Sequence, residues 1–436
     1  MLFKSIGELI PLYALYALLF ADHGMSTGQI SLLFAIWSAT SFLLEVPSGA
    51  WADTVSRRGL LVLSGVLLTA GFALWTVAPS FEGFAAGFVL WGTSGALASG
   101  TFEALLYDDL AARGDSSAYP RILGYTRAGA ETAVVIAIVA ATPLYLYGGY
   151  ALVGWSSVAA AAAHTLIALS LPTAPKAVSA ADVDDLEAEG SGSERFENRA
   201  VAGVLAPEQA AVGSQSSAAR SRPFARYLTM LKAGVGEALR VRVVRYGVLL
   251  EALLFGITAF DEYFALLAEE SGVSTAVVPL LVGLTVLGSL TGSVLAGRTE
   301  GMSGRRMAIA VGAAGVLFLG GALIAGLATG HPDAVYLFTG LGFGSIGVSY
   351  GIVYNAGIVA AARLQDAIEG PARATVTSVS GLLGEVIALV VFGFAALLTL
   401  HSSIATLLAL LGASILAIAV FTSRWLPPRA TEGLWI

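Results

Sequence analysis

Of the 436 residues none is cysteine. That absence excludes a disulfide framework, a thiolate zinc site and a thiol nucleophile. Charge is nearly as scarce, with only 12% Asp, Glu, Lys and Arg against 56% AVILMFWYC. A soluble domain carries about 25% charged residues, so water is not the only solvent of this chain. The net charge of -7 disfavours nucleic acid as a partner. No Walker loop occurs, so ATP does not drive the protein directly. No nucleophile, base and orienting group stand in a legible set, and the chain does not read as an enzyme. The four histidines are scattered without metal-ligand spacing, so neither a metal nor a cofactor is expected. Gly342-Phe-Gly344-Ser-Ile-Gly347 spells a dinucleotide pattern, but it lies inside an apolar run with no strand before it.

Present in their place are apolar runs of about 20 residues, the helical length of a bilayer core. Bounded by charge, Gly or Pro, they fall near 5–22, 29–50, 59–79, 83–107, 121–146, 149–171, 241–267, 276–297, 307–329, 333–361, 374–398 and 402–423. The opening Met1-Leu2-Phe3-Lys4 has no small-residue cleavage site after it and reads as the start of the first span, not a leader. This predicts an all-α membrane protein of twelve transmembrane helices, split six and six. Every Lys and Arg but Arg127 then falls on one side. The opposite connections hold only Asp22, His23, Glu82, Glu269, Glu270, His331, Asp333 and His401. The positive-inside rule therefore places both termini in the cytoplasm and the chain in the inner membrane.

Three regions follow: an N-terminal bundle over 1–171, a linker over 172–239 and a C-terminal bundle over 240–436. The linker begins with Asp182, Asp184, Asp185, Glu187, Glu189 and a Gly-Ser run, the composition of a disordered tether. Near 224–239, Phe224, Tyr227, Leu228, Leu231 and Val235 recur at helical spacing among basic residues, which predicts an amphipathic surface helix.

The turn after the second span reads Gly49-Ala-Trp-Ala-Asp53-Thr-Val-Ser-Arg57-Arg58, and the turn after the eighth reads Gly297-Arg-Thr-Glu-Gly301-Met-Ser-Gly304-Arg305-Arg306. Gly and the Arg pair recur at matching offsets, as in a duplicated transporter. Gly permits close helix approach, while a carboxylate and two guanidiniums can fasten a short loop to neighbouring helix ends. This Gly-x-x-x-Asp-x-x-x-Arg-Arg spacing resembles the signature loop of the major facilitator superfamily, and the resemblance covers essentially the whole chain. Leu44-Glu45-Val46-Pro47-Ser48-Gly49, Glu103-Ala-Leu-Leu-Tyr107-Asp108 and Arg373-Ala-Thr-Val-Thr-Ser378 are similar to a bacterial branch of drug and metabolite exporters. The resemblance implies that Asp53 faces the stretch from Arg373 to Thr375 and that Arg57 pairs with Asp108 or Asp109. With Gly49 and Arg58, these residues would gate transport and not bind substrate. Two departures stand: residues 83–107 hold no Arg or Lys, and the fifth span has only Pro143 where relatives carry a Gly-Pro pair. Export is therefore an expectation from the family and not from a motif.

Eight acids fall within spans, Glu8, Glu45, Glu103, Glu131, Glu251, Asp261, Glu262 and Glu385, against the single base Arg127. Each costs about 2.5 to 3.5 kcal/mol at a helix centre, so each is a candidate for a pathway or for coupling. Arg127 and Glu131 lie one turn apart and can pair with each other or share Glu103, as a structural ion pair or as a coupling network. Glu385 lies mid-span with no base near it in sequence and is a candidate titrating site; Glu251 ranks below it. Asp261 and Glu262, by depth, read as hydrated residues of the outer third.

The resemblance puts a substrate site at the midplane between the halves. At that depth stand Tyr13, Tyr16, Trp91, Ser94, Phe255, Thr258, Tyr350, Tyr354 and Asn355. Aromatics with polar tips suit an amphipathic organic molecule, neutral or cationic, and the lack of basic residues disfavours an anion. The expectation is a monomeric secondary transporter exporting such a compound in exchange for protons. The alternatives are an uptake symporter or uniporter and, from another class, a transporter-like receptor working through 172–239.

Overall fold

The computed structural model describes residues 1–173, 236, 240–368 and 373–428, with the side chains of 46, 49, 50, 53, 54 and 373–375 outside the description. The linker, its expected amphipathic helix and the Asp53-to-Arg373 contact therefore lie outside the described residues. What is described is helical throughout.

The first span is built of α1 (Leu2–Gly7), a 3₁₀ turn (Pro11–Ala14) and α2 (Tyr16–Asp22). Pro11 supplies no amide to the preceding turn and breaks the helix there. Next come α3 (Thr27–Thr54), α4 (Arg57–Val77), α5 (Phe81–Ala98), α6 (Thr101–Ala112) and α7 (Tyr119–Leu169). Gly100, at φ +67°, separates α5 from α6, and Gly149, at φ +58°, turns the chain in the middle of α7. That conformation is open to glycine at little cost. The C-terminal series runs α8 (Arg242–Gly256), a 3₁₀ segment (Ile257–Tyr263), α9 (Phe264–Glu270), α10 (Val278–Thr299), α11 (Gly304–Leu327), α12 (Val335–Ala367), α13 (Arg373–Leu398) and α14 (Ile404–Trp425). Serine side chains at Ser26, Ser56, Ser80, Ser303 and Ser403 accept the first free amides of α3, α4, α5, α11 and α14.

Among the described residues nine helical stretches are long and apolar enough to cross a membrane. The difference from the sequence expectation has physical causes. The first expected span is interrupted at Pro11, the fourth keeps an 18-residue helix, α5, that is diluted by Glu82, glycines, Thr93 and Ser94, and the fifth and sixth run on as Ser116–Leu169. The outer surface is apolar, with Val294, Leu397 and Val420 each more than 70% exposed, as lipid-facing positions are.

Packing within the N-terminal helices joins α4 to α5 and α7, and α3 to α5; within the C-terminal helices it joins α10 and α11 to α12, α11 to α14, and α8 to α13. A Cβ at Gly288 or Gly292 of α10 would collide with the carbonyl oxygen of Gly347 or Gly351 of α12. Glycine is required there because the two backbones touch. Gly340 and Gly344, also on α12, have open space around them. The two groups of helices meet along α3 with α13 and α7 with α10.

Candidate functional site

Where α3, α8, the 3₁₀ segment and α13 converge, they enclose a cavity of about 430 Å³. Its wall holds four carboxylates, Glu251, Asp261, Glu262 and Glu385, beside Trp37, Phe255 and Phe392. Each acid is met by a hydroxyl. Ser380 donates to Glu251 at 2.8 Å, Ser38 to Glu385 at 2.6 Å, Tyr350 to Asp261 at 2.7 Å, and Tyr16 to Glu262. Among the described residues the ion pairs are Lys4–Glu103, Arg57–Asp108 and Arg113–Asp109, none of which reaches these four. A hydroxyl satisfies one lone pair of a carboxylate without neutralising its charge. The wall is thus a concentration of acid with no ion-pair partner among the described residues.

Among the described residues, several contacts between the N-terminal and C-terminal helices lie at the end of this cavity near the α2–α3 turn. Phe34 packs on Phe392 and edge-on to Tyr263, Ser31 and Tyr263 share a hydrogen bond of 2.8 Å, and Thr142 donates to the Ala276 carbonyl at 2.9 Å. Beside them is an aromatic block: Trp91 stacks on Tyr13 at 5.2 Å and on Trp37 at 4.9 Å, and Tyr16 lies edge-on to Phe34, Phe88 and Trp91.

Of the expected substrate residues, Phe255 and Thr258 line the cavity, and Tyr16 and Tyr350 hold its acids. Tyr354 lies edge-on to both Phe255 and Tyr350, and Tyr13 and Trp91 stand behind Trp37 in the aromatic block. Two lie elsewhere. Ser94 bonds Ser64 at 2.9 Å and fastens α5 to α4. Asn355 donates to the Gly292 carbonyl at 2.8 Å and accepts from Thr299 at 2.9 Å, beside a separate apolar crevice between α10 and α12.

The coupling candidates also part company. Glu385 is in the wall. Glu103 pairs with Lys4 at 3.6 Å and not with Arg127, because the start of α1 lies against α6, where Phe3 stacks on Phe102. Arg127 and Glu131 are both exposed, and no ion pair joins them among the described residues. The expected trio is not a network; Glu131 instead lies within electrostatic reach of Glu8 and Tyr354. Asp261 and Glu262 are the residues sequence reasoning passed over. The available signal was two adjacent acids inside one span.

At the opposite end, Arg57 pairs with Asp108, as the family resemblance implied, while Asp109 binds Arg113 at 2.9 Å and Arg58 donates to the Leu169 carbonyl. Gly49 and Asp53 fall in the last turns of α3.

The sequence profile of the Major Facilitator Superfamily matches residues 2–383. No curated protein sequence matches the chain. Solved structures share its fold at low identity. The nucleoside transporter NupG superposes with a TM-score of 0.66 at 11% identity, over 97% of this chain and 98% of that one. The peptide transporter POT gives 0.63 at 12%, over 97% and 92%. A D-xylose-proton symporter gives 0.62 at 14%, over 98% and 97%. Helices that cross a bilayer, paired Arg-bearing turns and a profile match over most of its length place this multi-pass chain in the major facilitator superfamily of membrane transporters.

Proposed function

We propose that the protein is a proton-coupled secondary transporter that exports a small amphipathic compound, neutral or cationic, by alternating access. In this reading twelve crossings form two pseudo-symmetric six-helix bundles in the inner membrane, with both termini cytoplasmic. They act as a monomer and rock about the cavity. The observation that carries it is the cavity wall, four carboxylates beside three aromatic rings with no basic side chain among its described residues. A positively charged amine is attracted by each carboxylate and by the faces of Trp37 and Phe255, and the hydrocarbon part of the same molecule is accommodated by the rest of the wall. An anion meets only repulsion there. Protons compete for the same carboxylates, which is the minimum requirement for exchange of one for the other. Arg57, Asp108, Asp53 and Arg58 serve in this reading as the gate at the far end, and Glu131 and Glu385 as acids exposed to the pathway.

The substrate class is tested on the purified protein with three amphiphiles of one hydrocarbon skeleton, bearing an amine, a hydroxyl or a carboxylate. Ligands that bind the folded state raise its melting temperature. Stabilisation should follow the order amine, alcohol, acid, and Glu385→Gln should weaken the amine response and leave the alcohol response alone. Equal stabilisation by the acid refutes the assignment.

The D-xylose-proton symporter among the structural neighbours supports a second reading, uptake by symport. The two predict opposite directions of proton flow when substrate is added from the cytoplasmic side.

A further inference from the structure

The apolar crevice between α10 and α12 measures about 470 Å³ and shares no lining residue with the acid cavity. On α12, Tyr350 and Tyr354 turn to Asp261 and Phe255, while Gly347 and Gly351 line the crevice. Its glycines explain its shape. Where the backbones touch at Gly288 with Gly347 and at Gly292 with Gly351, no side chain fills the angle between the two helices. The lips are Leu284, Leu287 and Leu295 of α10 and Val348 of α12, each more than a third exposed, so the crevice opens on the outer surface.

The polar side chains of this wall are already engaged. Thr291 donates to the Leu287 carbonyl at 2.7 Å, Thr299 to Asn355 at 2.9 Å, and Asn355 to the Gly292 carbonyl at 2.8 Å. What faces outward is hydrocarbon, which suits a chain of methylenes and offers little to a polar solute. From Leu284 to Thr299 the crevice follows α10 for about 22 Å at 1.5 Å per residue, against roughly 15 Å of hydrocarbon in one leaflet. One acyl chain can lie along it.

Charge stands at one end only. Where α10 gives way to α11, Arg298, Arg305 and Arg306 are exposed, with Glu300 the one acid between them. Arg298 follows Leu295 by three residues and Thr291 by seven, and Arg306 precedes Ala310 by four, so both continue the helix faces that line the crevice. None of the three arginines enters an ion pair among the described residues. A hydrocarbon slot that ends in unpaired arginines at the end of a membrane helix matches a molecule with an apolar chain and an anionic head.

We infer that the crevice is a site for one anionic phospholipid, with an acyl chain between α10 and α12 and the headgroup at Arg298 and Arg306. A zwitterionic lipid brings the same chain without net charge, so the arginines select between the two. A free anion brings charge without the chain and leaves the apolar wall unused. The site stands apart from the transport reading, since neither its occupant nor its test involves the acid cavity.

In the test, the full chain is stripped of lipid in detergent and mixed with equal amounts of phosphatidylglycerol and phosphatidylcholine of one chain length. Retained lipid is identified by native mass spectrometry. The wild type should retain a single phosphatidylglycerol. Arg298→Gln and Arg306→Gln should each lower its excess over phosphatidylcholine about fivefold, the attraction of one basic residue to anionic lipid. Gly344→Leu locates the site: Gly344 lines the crevice with open space around it, so a leucine there occupies the slot without a clash and should abolish retention of both lipids. Gly340→Leu, also in open space but outside the lining, should behave as the wild type. If Gly344→Leu does not fold, Ile352→Trp obstructs the same crevice. Equal retention of the two lipids by the wild type, an unaltered preference in both arginine variants, or unchanged retention in Gly344→Leu overturns the inference. So does displacement by excess inorganic phosphate, which would make the arginines a free-anion site. A dimer that Gly344→Leu dissolves would put a second copy of the chain in the crevice and overturn it as well.

Discussion

The two Arg-bearing turns have similar sequences and are fastened in opposite ways. In the first, the base is in the turn and the acid outside it: Arg57 reaches Asp108 of α6, with side chains 15% and 6% exposed. In the second, Arg305 and Arg306 are exposed, and the base comes from outside. Buried Arg363 of α12 donates to the carbonyls of Glu300 at 2.5 Å and Met302 at 2.6 Å. A third bond, to the Pro427 carbonyl at 3.4 Å, ties the end of α14 to the same guanidinium. A side-chain ion pair can separate and find water on each side, whereas a guanidinium seated on three main-chain carbonyls has no equivalent exit. The first turn is held mainly by a side-chain ion pair and the second by bonds to main-chain carbonyls.

This contrast can be broken by substitution. Arg363→Ala should have the largest effect on stability, on the order of 3 to 5 kcal/mol, because several charge-assisted bonds vanish and buried carbonyls lose their donor. Thermal unfolding in detergent measures it. Asp108→Asn should cost less, about 1 to 3 kcal/mol, in the same measurement. A double-mutant cycle over Arg57 and Asp108 should return a coupling within the range of about 0.5 to 3 kcal/mol seen for contacting residues. Arg305→Ala with Arg306→Ala should stay within about 0.5 kcal/mol of the wild type, as exposed substitutions do. If the last pair proves as costly as Arg363→Ala, the two turns are fastened alike and the comparison fails.

Much of the helical frame was legible in the sequence because apolar runs of membrane-spanning length are written in composition. The Arg57–Asp108 pair came from the family resemblance, and the paired turns from spacing alone. What was not legible was rotation. Ser94 and Asn355 stand at the expected depth, yet each is turned toward a neighbouring helix and ties it down. Helices apolar on every side carry no face from which rotation can be read. Glu103 was misassigned for a related reason: its partner Lys4 is distant in sequence and is delivered by the packing of α1. Asp261 and Glu262 read as hydrated residues of the outer third because depth alone sorted them, whereas packing against α2 and α12 buries them. The two acids meet hydroxyls of two different helices through tertiary packing, and no local pattern announces it.

The central claim is that the acid-lined cavity exchanges protons for an amphipathic cation. The most direct measurement is proton movement in everted vesicles energised by respiration, followed with a pH-sensitive dye as cationic, neutral and anionic amphiphiles are added to wild type and to Glu262→Gln and Glu385→Gln. The account predicts that cationic members of the panel collapse the gradient in wild type, that anionic ones do not, and that Glu262→Gln abolishes the response. If no compound moves protons although labelled compounds still cross reconstituted membranes, the carboxylates are structural and the claim is wrong.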